Sequence, residues 1–324
     1  MLKRIAVLTS GGDAPGMNAA IRAVVRTGLS LGAEVFGVQH GYAGLIAGNY
    51  RNMGDRDVGG ILQQGGTILG SARSAEFRTL EGRQKALDQL AAQGIEGLVV
   101  IGGNGSQTGG YELNQMGFPT IGVASTIDND LVGSDITIGV DTALNIALEA
   151  IDRLKVTASS HRRAFLVEVM GRDCGYLALM AALAGGAEAA VLPEIKTTAE
   201  AVKEQLIGQF ARGKTNGIIV VAEGATPTLE ELMAYFKTDS PTAGYEIRAT
   251  TLGHVQRGGA PTAFDRILAT TLGSGAAEKL INGERGVVVG RIENKLITTP
   301  YQDVIGRTKG IKPEIYELAQ RLAR

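Results

Sequence analysis

Short apolar runs, many of them β-branched, recur along this chain, and a glycine-rich turn follows most of them. Runs of this kind are typical of buried strands, and segments with helical spacing of apolar residues separate several of them. The runs cover residues 5–9, 34–38, 97–101, 120–123, 164–170, 190–192 and 217–222. Strands that alternate with helices form mostly parallel sheets, and the pattern restarts near residue 164. We therefore predict an α/β fold with two doubly wound, Rossmann-like domains and a chain that crosses between them.

The composition is typical of a globular protein with a large core. The chain has 324 residues, of which 44% are hydrophobic and 20% charged, which is enough for two domains. Its formal net charge of −1 argues against a general affinity for nucleic acid or for anionic membranes. It has a single cysteine, no apolar stretch of membrane-spanning length and no signal peptide, and these features favour a cytoplasmic protein.

Two carboxylates follow the run at residues 120–123. Asp128 and Asp130 flank Asn129, and the hydroxyl of Thr126 lies two residues before the first carboxylate. One carboxylate could accept a proton from an alcohol, and the other could orient a metal and a transferring group. The alternative is an Asx-rich turn whose side chains bond their own backbone. The spacing alone favours the turn, and only the other loops of the chain favour catalysis.

The first glycine-rich turn, residues 11–18, precedes a segment with helical periodicity. Such a junction presents free N–H groups and the positive end of a helix dipole to an anion. It is not a Walker A loop, because Met17 and Asn18 stand where that motif has lysine and a hydroxyl. Phosphate binding by the backbone and a simple tight turn are both compatible with this segment. A later glycine-rich turn at residues 102–106 lacks the third glycine of a dinucleotide fingerprint, since Thr108 takes that position.

Three further features have ordinary structural interpretations. Cys174 has no paired base nearby in sequence, so we predict a buried apolar filler rather than a nucleophile. Three histidines (His40, His161 and His254) cannot form a metal site by themselves. The spacing of Ile315, Leu318 and Leu322 predicts a terminal helix over residues 313–324 that packs through these three side chains.

Four motifs taken together resemble those of the bacterial ATP-dependent 6-phosphofructokinases, in the same order and over essentially the whole chain. The motifs occupy residues 11–18, 126–130, 170–172 and 253–259. The resemblance implies transfer of the γ-phosphoryl group of MgATP to the 1-hydroxyl of fructose 6-phosphate, giving fructose 1,6-bisphosphate and ADP. It implies a homotetramer whose sugar-phosphate sites are shared between subunits. It also implies a larger nucleotide-binding domain at residues 1–139 and 256–306, and a smaller sugar-phosphate-binding domain at residues 140–255 and 307–324.

The resemblance further implies a role for each matching residue. Asp128 would be the general base, while Thr126, Asp130, Arg172 and Arg73 would support the transferring group, and Asn104 and Asp130 would hold Mg²⁺. The sugar phosphate would be bound by Met170, Gly171, Arg172, Glu223, His254 and Arg257 of one subunit and by Arg163 and Arg248 of its neighbour. The nucleotide side would contain Gly11, Tyr42, Arg73, Ser74, Arg78, Gly103, Asn104, Gly105, Ser106 and Gly109. A regulatory site would contain Arg22, Arg26, Arg56, Lys155, Glu188, Arg212 and Lys214, although basic residues are more often plain surface charges.

The departures from the family pattern lie mostly on the nucleotide side. Asn104 stands where the family has an aspartate that helps to place Mg²⁺, and Ser125 stands where it has glycine. Gly60 and Lys155 replace an acidic residue and an arginine of the regulatory site. Two alternatives therefore stay open beside the ATP-dependent enzyme. One is a pyrophosphate-dependent 6-phosphofructokinase, and the other is a weakly active regulatory paralogue that binds sugar phosphate.

Overall fold

The structure is a computed structural model that describes residues 1–238 and 246–323. The chain divides into two compact units and passes between them several times. The first unit comprises Met1–Ile127, Leu131–Thr142 and Arg257–Thr308, and the second comprises Asp128–Asp130, Ala143–Gln256 and Lys309–Arg324. The segment Asp128–Asp130 groups with the second unit, whereas the sequence-based boundaries assign it to the larger domain. Residues 239–245 and Arg324, which fall in the predicted smaller domain and terminal helix, lie outside the described residues.

Strands and helices alternate through most of the described chain. The strands are β1 Arg4–Thr9, β2 Glu34–Val38, β3 Tyr50–Asn52, β4 Gly97–Gly102, β5 Thr120–Ala124, β6 Arg163–Val169, β7 Ala189–Val191, β8 Gly217–Ala222, β9 Glu246–Thr251, β10 Val287–Ile292 and β11 Lys295–Pro300. The helices are α1 Met17–Ser30, α2 Gly41–Ala47, α3 Leu80–Ala92, α4 Asn104–Gln115, α5 Val140–His161, α6 Tyr176–Gly185, α7 Ala199–Ala211, α8 Leu229–Thr238, α9 Ala263–Ile281, α10 Tyr301–Val304 and α11 Pro313–Leu322. None of them is both long and apolar enough to cross a membrane, within the residues described.

The first unit contains a seven-stranded sheet in the order β11-β10-β5-β4-β1-β2-β3. The strands from β10 to β2 are parallel, and only the edge strands β11 and β3 pair antiparallel. Every residue of β4 is buried, as its uninterrupted apolar sequence predicts for a central parallel strand. The strand order reverses between β1 and β4, which is where doubly wound folds place a ligand crevice. The predicted fold class is confirmed.

Helices α1 and α9 cross closely on one side of this sheet. A Cβ added at Gly273 of α9 would lie 2.6 Å from the carbonyl oxygen of Ala20 in α1. Only glycine allows the two backbones to approach this far. The opposite side is closed by a cluster that includes Leu8, Tyr42, Phe77 and Leu90.

The second unit contains a parallel sheet in the order β7-β8-β6-β9. Strand β8 is buried at all six positions. Helix α8 begins with the capping box that its sequence indicates. The Glu231 amide donates to Thr228 Oγ1 over 3.2 Å, and the Thr228 amide donates to Glu231 Oε2 over 2.8 Å.

The terminal helix α11 differs from its prediction. No residue of α11 is fully buried; Ile315 is half-buried, but Leu318 and Leu322 are 37% and 64% exposed, so the predicted packing is wrong for these two leucines. The side that faces α7 carries Tyr316, Ala319 and Gln320, which line a cavity of about 480 Å³.

A fully buried carboxylate, that of Asp265, holds the start of α5. It accepts hydrogen bonds from the Gly139 amide over 2.9 Å, from the Thr142 amide over 2.8 Å and from Thr142 Oγ1 over 2.6 Å. Burial raises the pKa of Asp265, and the hydrogen bonds from Thr142 and Gly139 oppose that shift. The carboxylate takes the place of an N-cap side chain, which Gly139 cannot supply.

We expect Asp265→Ala to lower the free energy of unfolding by about 3–5 kcal/mol, because it leaves three buried donors without their acceptor. The urea midpoint of the variant measures this loss. Asp152→Ala, at an exposed position of α5, is the matched control and should change stability by less than about 0.5 kcal/mol. A loss below about 1 kcal/mol at Asp265 would show that the donors find other acceptors.

Candidate functional site

Loops of the first unit meet at the carboxyl edge of its sheet. The turn after β1 opens α1, the turn after β4 opens α4, and the stretch after β5 begins at Ser125. These three strands are parallel neighbours, so their following turns lie side by side. The structure thereby brings together the predicted nucleotide residues Gly11 and Gly103 and the predicted catalytic residue Thr126.

The first two of these turns approach each other closely. Gly11 has a φ of +84°, and a Cβ at this position would lie 3.1 Å from Ser106 Oγ. A Cβ at Gly102 would lie 2.6 Å from the carbonyl oxygen of Ser10. Ser71 Oγ donates to the Gly11 carbonyl over 2.6 Å and so connects the segment that carries Arg73. The result is a glycine-lined surface with backbone amides at the start of α4, which suits a phosphate.

Tyr42 lies beneath this surface rather than on it. Its ring stacks on Phe77 with centroids 4.0 Å apart, and its hydroxyl donates to the carbonyl of Ser106 over 2.6 Å. Burial raises the pKa of Tyr42 well above its ordinary value, so the phenol stays a donor. A Cβ at Gly109 would lie 2.5 Å from the Tyr42 ring. The structure therefore places Tyr42, Ser106 and Gly109 as supports for the first turn of α4.

The remaining predicted nucleotide residues lie in two places, the segment around the short 3-10 turn Glu76–Arg78 and the start of α4. Arg73 and Arg78 are exposed, and Ser74 Oγ accepts a hydrogen bond from the Phe77 amide over 3.2 Å. Asn104 and Gly105 are the first two residues of α4, and space around Gly105 is open for a side chain. Asn104 is thus at the positive end of a helix dipole.

The stem of the Thr126–Asp130 stretch is fixed by the strand-like segment before α5. Thr137 Oγ1 donates to the Thr126 carbonyl over 2.6 Å, and the Ile138 amide donates to the Ala124 carbonyl over 3.1 Å. Ser125 is completely buried, and its hydroxyl has no hydrogen-bond partner. These hydrogen bonds and the burial of Ser125 anchor the stem to the segment before α5.

In the second unit, Asp128 lies beside Arg172. Asp128 is 4% exposed, and its Oδ2 is 3.9 Å from Arg172 Nε. The Arg172 side chain is 63% exposed, so its guanidinium is accessible to a ligand. A carboxylate and a guanidinium at this separation suit a base and a charge-stabilising group that act on one substrate.

Glu223 fixes the turn that carries Arg172. Its Oε2 accepts hydrogen bonds from the Arg172 amide over 3.1 Å and from the Gly171 amide over 3.4 Å. Arg172 has a φ of +50°, which is uncommon for a residue other than glycine. Met170, Gly171, Glu223 and His254 follow the adjacent parallel strands β6, β8 and β9, so they share the carboxyl edge of the second sheet.

Gln256 is a buried polar residue to which the sequence assigned no role. It is 0% exposed, and its Oε1 accepts a hydrogen bond from the Met170 amide over 2.8 Å. Its Nε2 donates to the Ala143 carbonyl over 3.4 Å. Gln256 lies within the motif at residues 253–259, and this position is the sequence signal that could have identified it.

His254 and Arg257, both of which the resemblance assigns to the sugar-phosphate site, are divided between the two units. His254 is exposed in the second unit, whereas Arg257 is 8% exposed in the first. Arg257 Nη1 donates to the Asp13 carbonyl over 3.0 Å, and a Cβ at Gly12 would lie 2.6 Å from the same nitrogen. The structure therefore places the Arg257 guanidinium against the first glycine-rich turn.

Arg163 and Arg248 are brought together by a residue that the sequence did not indicate. Both pair with Glu246, and Arg163 Nε lies 2.6 Å from Glu246 Oε2. The hydrogen bond from Arg163 lowers the pKa of Glu246. Residues 163 and 246 are neighbours in the β6–β9 register, which a single sequence does not reveal.

Three of the predicted regulatory residues cluster in the second unit. Lys214 Nζ lies 3.0 Å from Glu188 Oε1, and Lys155 Nζ donates to the Gly186 carbonyl over 3.3 Å. Arg212 ends α7 and is exposed, lining the cavity beside α11. In the first unit, Arg22 and Arg26 lie on α1, and Arg56 lies in an exposed turn.

The predicted role of Cys174 as a filler agrees with its surroundings. The thiol is 6% exposed, and burial raises its pKa to about 11. A thiol that stays protonated at neutral pH is a poor nucleophile.

The described residues include oxygen ligands suited to Mg²⁺ but no preformed metal site. Within residues 1–238 and 246–323, no group of three or more His, Cys, Asp or Glu side chains could hold a metal ion. Mg²⁺ in proteins commonly uses one or two carboxylates together with water and substrate phosphates. The Asp130 carboxylate and the Asn104 amide oxygen are both hard ligands of the type that Mg²⁺ prefers.

Comparison with known proteins agrees with these features. The family model described as Phosphofructokinase matches residues 4–280. The chain is 53% identical over 324 residues to ATP-dependent 6-phosphofructokinase 1 of Thermus thermophilus, covering 99% of this chain and 100% of that protein. It is 50% identical over 322 residues to ATP-dependent 6-phosphofructokinase of Natranaerobius thermophilus, with the same coverage.

A solved structure gives the same assignment. The crystal structure of Pichia pastoris phosphofructokinase in the T-state matches with a TM-score of 0.89 and 38% identity, covering 94% of this chain and 35% of that longer chain. The resemblance that four motifs indicated is confirmed. This chain belongs to the phosphofructokinase family.

Proposed function

We propose that this protein is an ATP-dependent 6-phosphofructokinase, which transfers the γ-phosphoryl group of ATP to the 1-hydroxyl of fructose 6-phosphate. The observation that carries the proposal is the buried Asp128 carboxylate, 3.9 Å from an accessible Arg172 guanidinium. The names of relatives about 50% identical over the whole chain support ATP as the donor.

The reaction needs a base, a charge-stabilising group and two phosphate sites. Asp128 would take the proton of the 1-hydroxyl as that oxygen forms a bond to the γ-phosphorus. The bond from that phosphorus to the β,γ-bridging oxygen breaks, and ADP leaves with the electron pair. Arg172 would stabilise the charge on the phosphoryl oxygens during transfer.

The donor and the acceptor would be held by different sets of residues. The glycine-lined surface around Gly11 and Gly103 would hold the nucleotide phosphates through backbone amides. Met170, Gly171, Glu223 and His254 would hold the sugar phosphate at the edge of the second sheet. Glu246 would hold Arg163 and Arg248 together, so that both could reach the 6-phosphate of a sugar bound in the neighbouring subunit.

The metal, the assembly and the cellular location form the rest of the proposal. Asp130 and Asn104 would offer oxygen ligands to the Mg²⁺ that arrives with ATP, and the ion would neutralise phosphate charge. A cytoplasmic homotetramer would supply the neighbouring Arg163 and Arg248. The cluster of Lys155, Glu188 and Lys214 supports a regulatory anion site.

An assay that compares two phosphoryl donors, ATP and pyrophosphate, tests the proposal. Purified protein with Mg²⁺ and fructose 6-phosphate should form fructose 1,6-bisphosphate with ATP, and pyrophosphate should support little turnover. Turnover with pyrophosphate alone would replace ATP by pyrophosphate as the donor. Tight fructose 6-phosphate binding without turnover on either donor would instead indicate a regulatory paralogue.

A further inference from the structure

The turn between Asp128 and Asp130 adopts an uncommon conformation that must be held by its surroundings. Asn129 has a φ of +54° and is 1% exposed. Asparagine tolerates the left-handed region better than most residues, yet the conformation still costs energy. The carboxylates on either side depend on it, because a change at this residue would redirect both.

Lys309 makes two contacts with this turn. Its amide donates to the Asp130 carbonyl over 2.7 Å, and its Nζ donates to Asn129 Oδ1 over 3.0 Å. The second bond has a charged donor, and such bonds are roughly twice as strong as neutral ones. Lys309 is far away in sequence and lies just before α11, so only the fold brings it here.

Lys309 also contacts the turn that carries Arg172. Its carbonyl oxygen is 3.7 Å from the Cys174 thiol, and the Cys174 amide donates to the Gly171 carbonyl over 3.0 Å. One residue therefore touches both the loop that holds Asp128 and the turn that holds Arg172.

We propose that Lys309 is a positioning residue that sets the Asp128–Asp130 loop through Asn129. This inference rests on the proposed function, since it concerns the same reaction. Loss of the ammonium leaves the backbone bond to Asp130 in place, so the loop stays folded but loses its side-chain anchor. Small displacements of reacting groups reduce the rate strongly, by up to about 100-fold for about 1 Å.

The first test compares three variants in the assay with ATP and fructose 6-phosphate. Lys309→Met, which keeps the length of the side chain, should lower kcat by about 5- to 50-fold and change KM for fructose 6-phosphate by less than about threefold. Lys309→Arg should recover most of kcat. Lys312→Met is the matched control at an exposed position of the same segment and should keep wild-type kcat. A Met variant with wild-type kcat, or one that loses kcat and affinity in parallel, would overturn the proposal.

The second test needs no activity and so separates this inference from the proposed function. Hydrogen exchange of a peptide spanning residues 125–133 should be several-fold faster in Lys309→Met than in wild type, while peptides from the rest of the chain exchange as in wild type. Lys312→Met should exchange like wild type. If wild type fails to transfer a phosphoryl group, the proposed function fails while this comparison still decides the role of Lys309. Unchanged exchange at residues 125–133 would reject that role whatever the enzyme does.

Discussion

Replacing Asp128 with serine should reduce turnover with ATP by roughly 10²–10⁴-fold, the usual contribution of a general base. The affinity for fructose 6-phosphate should stay within about threefold of wild type, because the phosphate contacts lie on other residues. Asp128 is buried beside Arg172 and lies on a loop whose stem is fixed by Thr137 and Ile138. Removal of the carboxylate therefore affects proton transfer more than loop structure.

The measurement pairs steady-state kinetics with direct binding of fructose 6-phosphate by calorimetry. Asp152→Ser, at an exposed position of α5, controls for loss of a carboxylate elsewhere and should leave both quantities unchanged. A parallel fall in turnover and in sugar-phosphate affinity would make Asp128 a structural residue. A variant with near-normal turnover would remove the general base from the mechanism.

The positions of the strands were predictable because they depend on local sequence, and the meeting of the loops that follow them was predictable from the strands. Uninterrupted apolar runs such as that of β4 and β8 identify buried parallel strands. Parallel strands end at one edge, so the turns after β1, β4 and β5 had to meet. The same reasoning placed the residues that follow β6 and β8 together.

Contacts between residues distant in sequence were not predictable. Asp265 holds the first turn of α5, Lys309 holds Asn129, and Glu246 joins two arginines, and none of these has a local pattern. The hydrogen bond from Arg257 to the Asp13 carbonyl has no local sequence pattern either. A glycine turn indicates flexibility in the backbone but does not determine which carbonyl its arginine will reach.

The departure from the family pattern at Asn104 leads to a prediction of increased activity, in contrast to the loss expected for Asp128→Ser. We expect Asn104→Asp to raise kcat/KM for MgATP by roughly 5- to 150-fold, which corresponds to about 1–3 kcal/mol of restored metal or transition-state binding. Asn104 is the first residue of α4, and none of the residues in the first turn of that helix is acidic. A carboxylate there gains a further 0.3–1 kcal/mol or so from the helix dipole, so the change should not destabilise the fold.

Titration of Mg²⁺ at fixed ATP gives the sharper measurement, because a new carboxylate should lower the Mg²⁺ concentration at half-maximal rate. Asn104→Ala removes the amide oxygen and should shift that concentration the other way. Asn52→Asp adds the same charge at an exposed position of β3 and should leave the titration as in wild type. If Asn104→Asp gains nothing with MgATP, a neutral side chain at this position does not limit metal placement. Any change in donor binding would then have to come from the other departure, the buried Ser125, which stands where the family pattern has glycine.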